Sequence, residues 1–303
     1  MRDLKALDFN LLKALDALLD ERNVTRAALR LGVTQPAMSG MLTRLRATFD
    51  DPLFVRAQRG MVATARAQQL AAPLKAALAG VEGLLAPATF TPSSARMTFT
   101  LAASDYALRA ITVPFLARLK SEAPGIRVAL VPVEEDRLQR QLERGDLDLA
   151  LVTPQSAPAD LHARVLFDEH YVCVARQGHP VVDTDRPLTL DAFCALDHAL
   201  VSYTAGAFEG VTDEALARLG RSRAVSLSVK SFLILPEILR ASDRVAVLPS
   251  RLVVGLEGLT WVEPPLAVPG FTKVAAWHER THADPGHRWL RQLLFASCDQ
   301  VTP

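Results

Sequence analysis

A chain of 303 residues, half of them apolar and 22% charged, has an ordinary globular composition and is long enough for two or three packed cores, which excludes a single small domain. Its net charge of +1 hides an asymmetry: Lys and Arg outnumber Asp and Glu by 8 to 2 between residues 22 and 66, while the rest of the chain is slightly acidic. Such a local excess is the electrostatic footprint of a nucleic-acid-binding module, although a solvated basic face would give the same count. Cys173, Cys194 and Cys298 are far apart and odd in number, so neither a disulfide framework nor a CxxC metal site is expected, and a reducing cytoplasm fits. Arg2, Asp3, Lys5, Asp8 and Asn10 interrupt any signal-peptide core, and nowhere do the 18 apolar residues of a spanning helix run together.

Phe9, Leu11, Leu12, Leu15, Leu18 and Leu19 recur at helical spacing, predicting an amphipathic helix that ends near Asn23. Thr25 then caps a second helix through Arg30, Gly32 and Val33 form a tight turn, and Thr34 or Gln35 opens a third helix to about Phe49. Two short helices across a Gly-containing turn make a helix-turn-helix, with small Ala28 at the close approach and Met38 and Met41 filling the space between helices. Asp51 and Pro52 stop the third helix. Leu53–Arg56 and Met61–Ala63 read as two strands around a turn at residues 58–60, forming a wing that carries Arg56 and Arg59.

From Arg66 to Leu85 an alanine-rich stretch spaces Leu70, Leu74, Ala77, Val81 and Leu84 four, three, four and three residues apart. That is coiled-coil spacing, predicting a helix that pairs with a partner, with Pro73 disturbing one turn. Packing against its own domain is the competing reading. Residues 87–94 form a hinge with Pro87 and Pro92. Beyond it, Met97–Ala103, Arg127–Val133, Leu147–Val152, Tyr171–Ala175, Ala199–Ser202, Val225–Val229, Val245–Leu248 and Lys273–Trp277 read as strands, with helices between several of them and a last helix at Arg288–Ala296. Strand-helix alternation of this kind predicts parallel sheets in an α/β domain.

Gln35-Pro36-Ala37-Met38-Ser39, Leu42 to Arg46, Asp51-Pro52-Leu53-Phe54-Val55-Arg56, Gly60-Met61 and Thr64 together resemble the signature of LysR-type transcription regulators. The similarity continues through Glu169-His170-Tyr171-Val172-Cys173, His179-Pro180, Trp277-His278 and Trp289-Leu290-Arg291-Gln292-Leu293, in the manner of the branch holding aromatic-catabolism and nodulation regulators. The resemblance implies a mixed α and α/β chain. A winged helix-turn-helix (1–65) and a linker and dimerisation helix (66–86) would precede an effector-binding domain (95–303) like a periplasmic binding protein. That domain would hold two Rossmann-like subdomains, 95–166 with 270–303 and 167–269. The implied partners are double-stranded operator DNA, a small-molecule effector, further copies of the chain as a dimer or a tetramer of paired dimers, and RNA polymerase. No cofactor is expected.

For DNA, a recognition helix in the major groove offers Thr34, Gln35, Ser39 and Thr43 to base edges, with Pro36 at its first turn against a thymine methyl. Arg44, Arg46, Arg56 and Arg59 are candidate phosphate ligands, although Arg46 has Asp50 four residues on as an alternative partner. For the effector, ligands in open α/β sheets gather at the ends of parallel strands. This points to Ser104, Asp105 and Tyr106, to Thr153, and to Ser202, Tyr203 and Thr204, with Phe232 and Phe271 as apolar walls. The helix start at Ser104 predicts an anionic ligand. Ser104 and Thr204 as plain helix caps and Phe232 as plain core are the alternatives.

Three other functions have specific sequence correlates. His278-Glu279-Arg280-Thr281-His282 matches HExxH, which makes a zinc metalloenzyme only on a continuous helix, and Asp284-Pro285-Gly286 argues against one here. A secreted solute-binding protein would share the two-lobed domain but not the first 65 residues. A DNA-binding regulator with no effector would keep the helix-turn-helix and lack a pocket.

Overall fold

The computed structural model describes residues 8–58, 60–85, 89–184, 186–202 and 206–299. The chain divides into two compact units, residues 1–87 and 88–303.

In the first unit, helix α1 (Phe9–Glu21) starts at Asp8, whose carboxylate accepts from the Asn10 N–H at 2.9 Å. Arg22 then leaves the helix in the left-handed region (φ 48°). The chain therefore reverses at once, and α2 (Val24–Arg30) is capped by Asn23 rather than by Thr25, the Asn23 side chain accepting from Arg26 N–H at 3.0 Å. Gly32, at φ +67°, makes the turn into α3 (Gln35–Phe49). Ala27 and Ala28 are buried at the crossing, Met38 is wholly enclosed and Met41 packs alongside, as the helix-turn-helix pattern requires.

After α3, Leu53 takes a left-handed conformation (φ 55°) with its side chain fully buried. A leucine there costs about 1–2 kcal/mol. Asp51 holds it in place, one carboxylate oxygen accepting from Leu53 N–H at 2.6 Å and from the Thr64 hydroxyl at 2.7 Å. The wing follows as antiparallel β1 (Phe54–Ala57) and β2 (Gly60–Ala63). Helix α4 (Ala65–Leu85) runs through Pro73 without ending. Its apolar stripe divides in two: Leu70, Leu74 and Leu78 pack into the core of the first unit, and Lys75 bonds Asp20 of α1 at 2.9 Å, whereas Val81, Leu84 and Leu85 are exposed. The expected partner-facing seam is thus partly an intradomain contact.

The second unit runs β3 (Thr98–Ala103), α5 (Asp105–Ala107), a π-helical turn (Leu108–Thr112), α6 (Val113–Glu122), β4 (Arg127–Val131), α7 (Leu138–Arg144), β5 (Leu149–Val152), β6 (His162–Glu169), β7 (Tyr171–Arg176), α8 (Leu190–Ala195), β8 (Asp197–Val201), α9 (Val211–Arg218), β9 (Ala224–Val229), α10 (Leu235–Arg240), β10 (Ala246–Pro249), α11 (Ser250–Val253), β11 (Leu259–Val262), β12 (Phe271–Trp277) and α12 (Pro285–Cys298). One sheet has the order β4-β3-β5-β12-β6, another β10-β7-β11, and β8 pairs with β9. A bridge from His198 to Val245 sets β8 beside the start of β10.

Strand β3 is parallel to β4 and β5, as expected, but β12 is antiparallel to β5 and β6, because the chain returns to the first sheet from the second. Strands β6 and β11 were not expected. Every position of β5 is buried, so it reads as an apolar run, whereas β6 is largely exposed and carries Arg164 and Asp168. Gly270 lets β12 enter beside β6, since a Cβ there would lie 2.0 Å from the Glu169 carbonyl oxygen.

The two sheets are tied at Glu169, which is 3% exposed at the end of β6. Its carboxylate accepts from the Tyr106 hydroxyl, the Ser250 hydroxyl (2.6 Å) and the N–H groups of His170 (2.9 Å), Ser250 (3.1 Å) and Arg251 (3.3 Å). Substituting Glu169→Gln leaves buried donors facing an amide N–H, and should lower the stability of the second unit by about 2–4 kcal/mol. Calorimetric unfolding of the full chain reads this as a drop in one transition, with the helix-turn-helix transition unmoved.

Candidate functional site

On α3, Gln35, Ser39 and Thr43 follow one another at four-residue intervals along a stripe that flanks buried Met38, Leu42 and Leu45. Gln35 and Thr43 are exposed and Ser39 half-buried. The Gln35 amide donates to the Ser39 hydroxyl at 3.4 Å, and the Thr43 hydroxyl to the Ser39 carbonyl at 3.1 Å. Pro36 is exposed in the first turn. Thr34 accepts from Ala37 N–H at 3.3 Å as the helix cap, which leaves its hydroxyl proton available as a donor.

The basic residues separate into distinct groups. Arg26 and Arg30 pair with Asp16, Asp20 and Glu21 of α1, and so contribute little net field. Arg44 approaches Asp8 at 3.5 Å while 61% exposed. Arg46 does not pair with Asp50. Its guanidinium donates to the carbonyls of Pro52 (2.9 Å) and Phe54 (3.3 Å), holding the wing against α3, because Asp50 has turned into the left-handed cap of the helix. This makes Arg46 a structural strut before it is a phosphate ligand. Arg56 is exposed on β1 and makes no ion pair among the described residues. Arg59 lies outside the described residues.

In the second unit, Ser104 ends β3 and caps α5, its hydroxyl accepting from Ala107 N–H at 3.4 Å. The expected anion site at this helix start already holds an internal anion. Asp105 accepts from Tyr106 N–H at 2.8 Å and, 127 residues along the chain, from Phe232 N–H at 2.6 Å. Tyr106 is buried and bonded to Glu169, and its hydroxyl is raised far above the usual phenol range by burial and by that neighbouring carboxylate. It is a wall and a tie, not an open polar contact. Thr153 donates to Ser156, which bonds Glu135, and makes no ring contact with the cluster described next. Ser202 is nearly buried, its N–H donating to Val229. Tyr203 and Thr204 lie outside the described residues.

Phe232 and Phe271, expected as walls, do come together. Both pack edge-on against Tyr106 at 6.0 and 5.5 Å, and Tyr171 lies 5.8 Å from Phe271. A cavity of about 60 Å³ opens beside this cluster, lined by Tyr171, Phe232, Val201, Thr212 and Arg223 among others. Arg223 is held by both oxygens of Asp213 at 2.8 Å and donates to His198, which is itself driven down to about 4 by burial and kept neutral. That guanidinium is therefore already neutralised.

Lys273, on β12, is different. It is 6% exposed, its ammonium sits over the Tyr106 and Phe271 rings at 5.7 and 6.0 Å, and no carboxylate reaches it among the described residues. Burial brings its pKa down to about 8. Sequence reasoning missed Lys273 and Tyr171 as site residues: it began the strand at Lys273, whereas β12 begins at Phe271 and carries that lysine within it, where a buried amine is itself a signal.

With this geometry established, the resemblances acquire structural meaning. Residues 92–299 match the LysR substrate binding domain, and residues 9–68 match the bacterial regulatory helix-turn-helix protein of the lysR family. The chain belongs to the LysR family. It is a DNA-binding transcription regulator of that type. It is 36% identical to the transcriptional activator NahR of Pseudomonas putida over 97% of this chain and 98% of that one. To nodulation protein D 2 of Bradyrhizobium sp. (strain NC92) it is 33% identical, over 98% of this chain and 88% of that one. Among solved structures, the probable transcriptional regulator PA0477 of Pseudomonas aeruginosa shares 35% identity over 96% of this chain and 97% of its own, with a TM-score of 0.58. NahR is named as a transcriptional activator and PA0477 as a probable transcriptional regulator, in keeping with the helix-turn-helix of the first unit. Among the described residues no helix is long and apolar enough to cross a membrane.

The buried amine generates a pH dependence. The folded pKa of Lys273, about 8, lies below its ordinary value of 10.5, so between those limits the unfolded chain binds the extra proton and stability rises with pH. Below about pH 8 the burial penalty is fully present. Lys273→Met should remove this rise, as seen in thermal unfolding between about pH 7 and 10.

Proposed function

We propose that this LysR-type regulator reads operator DNA through Thr34, Gln35, Pro36, Ser39 and Thr43, with Arg44 and Arg56 on flanking phosphates. A small anionic, aromatic effector at Lys273 then modulates it. In this reading residues 1–65 recognise DNA, 66–86 link and pair subunits, and 95–303 bind the effector, in the cytoplasm. The observation that carries the DNA assignment is the polar stripe Gln35, Ser39 and Thr43, which α3 leaves at least partly open to solvent beside its packed apolar residues. The effector assignment rests on a nearly buried ammonium with no counter-ion among the described residues, over the rings of Tyr106 and Phe271, against which Phe232 and Tyr171 pack. It relocates the anion contact from the Ser104 helix start, which Asp105 occupies, to β12. A carboxylate next to Lys273 supplies the missing charge and returns its pKa upward.

Footprinting of the chain on its own upstream region, with and without small aromatic carboxylates, tests both halves together. Gln35→Ala and Ser39→Ala should each reduce discrimination between operator and random duplex by about 1 kcal/mol or more. Arg56→Ala should weaken both duplexes alike and lower the salt slope by about one. Equal discrimination in the two α3 variants would remove that helix face from recognition.

The exposed Val81, Leu84 and Leu85 support self-association through the second half of α4, and paired domains would read a partial palindrome. Sedimentation should give a multiple of 32.9 kDa, and Leu84→Glu with Leu85→Glu should shift it toward one. A wild-type monomer at micromolar concentration with full operator affinity would contradict this arrangement.

A further inference from the structure

The HExxH segment is not absorbed by DNA reading or by effector binding. It does not form the helix that a metalloprotease motif requires. Strand β12 ends at Trp277, His278 becomes a cap whose Nδ1 accepts from Arg280 N–H at 3.2 Å, and Glu279–Thr281 is a 3-10 turn closed by His282 N–H on the Glu279 carbonyl at 2.9 Å. This changes which residues share a face. In an α-helix positions four apart align, which would pair His278 with His282. In a 3-10 turn positions three apart eclipse, which pairs Glu279 with His282.

The third member of the group comes from β6. His162, its first residue, stands opposite Trp277 in the strand register, stacks on the Trp277 ring at 5.6 Å and on the His282 ring at 4.1 Å, and bonds the Glu279 carboxylate. One ligand atom each from His162, Glu279 and His282 lies within 4.8 Å of the others. The turn that carries two of them is fixed through its backbone. Arg291, 5% exposed, donates to the carbonyls of Thr281 (3.2 Å) and His282 (2.8 Å), and Arg280 donates to Leu142 at 2.9 Å.

We propose that His162, Glu279 and His282 form a binding site for a divalent transition-metal ion of the zinc type, clipping the start of β6 to the turn after β12. Two imidazoles and one carboxylate are a donor set for borderline ions, and leave a fourth position to water. Metal–ligand bonds of about 2.0–2.2 Å place tetrahedral ligand atoms about 3.4 Å apart, so the Glu279 carboxylate must part from the His162 ring it now bonds to admit the ion between them. Glu279, whose side chain is 70% exposed, can make that movement, and with His162 at 38% the site is open to solution. Besides the His162–Glu279 bond, which the ion must break, two contacts oppose it. The Trp277 indole N–H donates to His282 Nδ1 at 3.3 Å, a long bond that yields if this nitrogen turns to the metal, and the Arg291 guanidinium lies over the Trp277 ring at 4.5 Å. With a fixed cation nearby, the ion is held by coordination bonds and not by net negative field. Zinc, nickel and cobalt therefore bind, and magnesium, which favours oxygen and keeps its water, does not.

The test uses the full chain without a histidine tag, stripped with chelator and titrated with Zn²⁺, Co²⁺ and Mg²⁺ by calorimetry and thermal unfolding. The wild type should take up a single Zn²⁺ per chain, show the visible bands of tetrahedral Co²⁺, melt at higher temperature with Zn²⁺, and ignore Mg²⁺. His162→Gln and Glu279→Gln, both at exposed side chains, should fold as the wild type does and each weaken Zn²⁺ binding by at least about tenfold. Operator binding by the metal-free variants serves as the check on folding. Absence of Zn²⁺ uptake by the wild type, uptake unchanged in both variants, or an equal response to Mg²⁺ would each overturn the site.

Discussion

A carboxylate almost without solvent is tolerable only where donors surround it, and in the second unit this condition organises everything near it. Glu169 ends β6, the strand by which the chain leaves the first sheet, and Ser250 and Arg251 begin α11, directly after a strand of the other sheet. Tyr106 comes from the helix that follows β3. Five hydrogen bonds to one side chain thus join three stretches of chain separated by 63 and 81 residues. A second tie, Asp105 to Phe232 N–H, lies one residue away on the same turn. With Tyr106 fixed at its hydroxyl, its ring becomes a rigid surface against which Phe232, Phe271 and Lys273 are placed.

That placement explains why an ammonium remains at a nearly buried position with no counter-ion among the described residues. The ring faces offer quadrupole attraction, of about 0.5–2 kcal/mol per contact, which only partly offsets the loss of water. The remainder appears as the depressed pKa of Lys273. A neighbouring acid would have removed the penalty, yet Glu169, which bonds the Tyr106 hydroxyl, is fully engaged with its own donors. Arg223, the other buried cation beside the cavity, shows the contrast: Asp213 neutralises it completely and leaves it little to offer an incoming anion.

Much of this was legible in the sequence because it depends on local rules. The turn at Gly32, the α3 limits, the wing and the buried parallel strands follow from cap chemistry and apolar runs. Asn23 displaced Thr25 as a cap because Arg22 breaks α1 two residues earlier than periodicity suggests. Strand β6 was illegible because its apolar residues Val165, Leu166 and Phe167 are consecutive with Val165 exposed, so neither alternation nor a fully buried run marks it. The Glu169 network was illegible for a different reason: its members are far apart along the chain, and nothing in their spacing marks them as neighbours. Ser104 illustrates the limit most clearly. Its place at a strand end was read correctly, but the next residue supplies the anion that the helix start attracts.

The first unit shows a similar gap between a count of charges and their effect. Eight basic residues against two acids between positions 22 and 66 suggest a strong field, but Arg26 and Arg30 face the acids of α1, which fall outside that window. Arg46 is drawn inward by carbonyls of the wing. The field available to a polyanion therefore comes from the exposed Arg22, Arg56 and Arg66, which make no ion pair among the described residues, and in part from Arg44, which shares its charge with Asp8. Each arginine that holds the fold is one fewer that releases counter-ions on binding, so the salt dependence of DNA affinity is set by which guanidinium groups remain exposed and not by the sequence total. In this unit the same residue type builds the reading head and charges it, and only the hydrogen-bond partners separate the two roles.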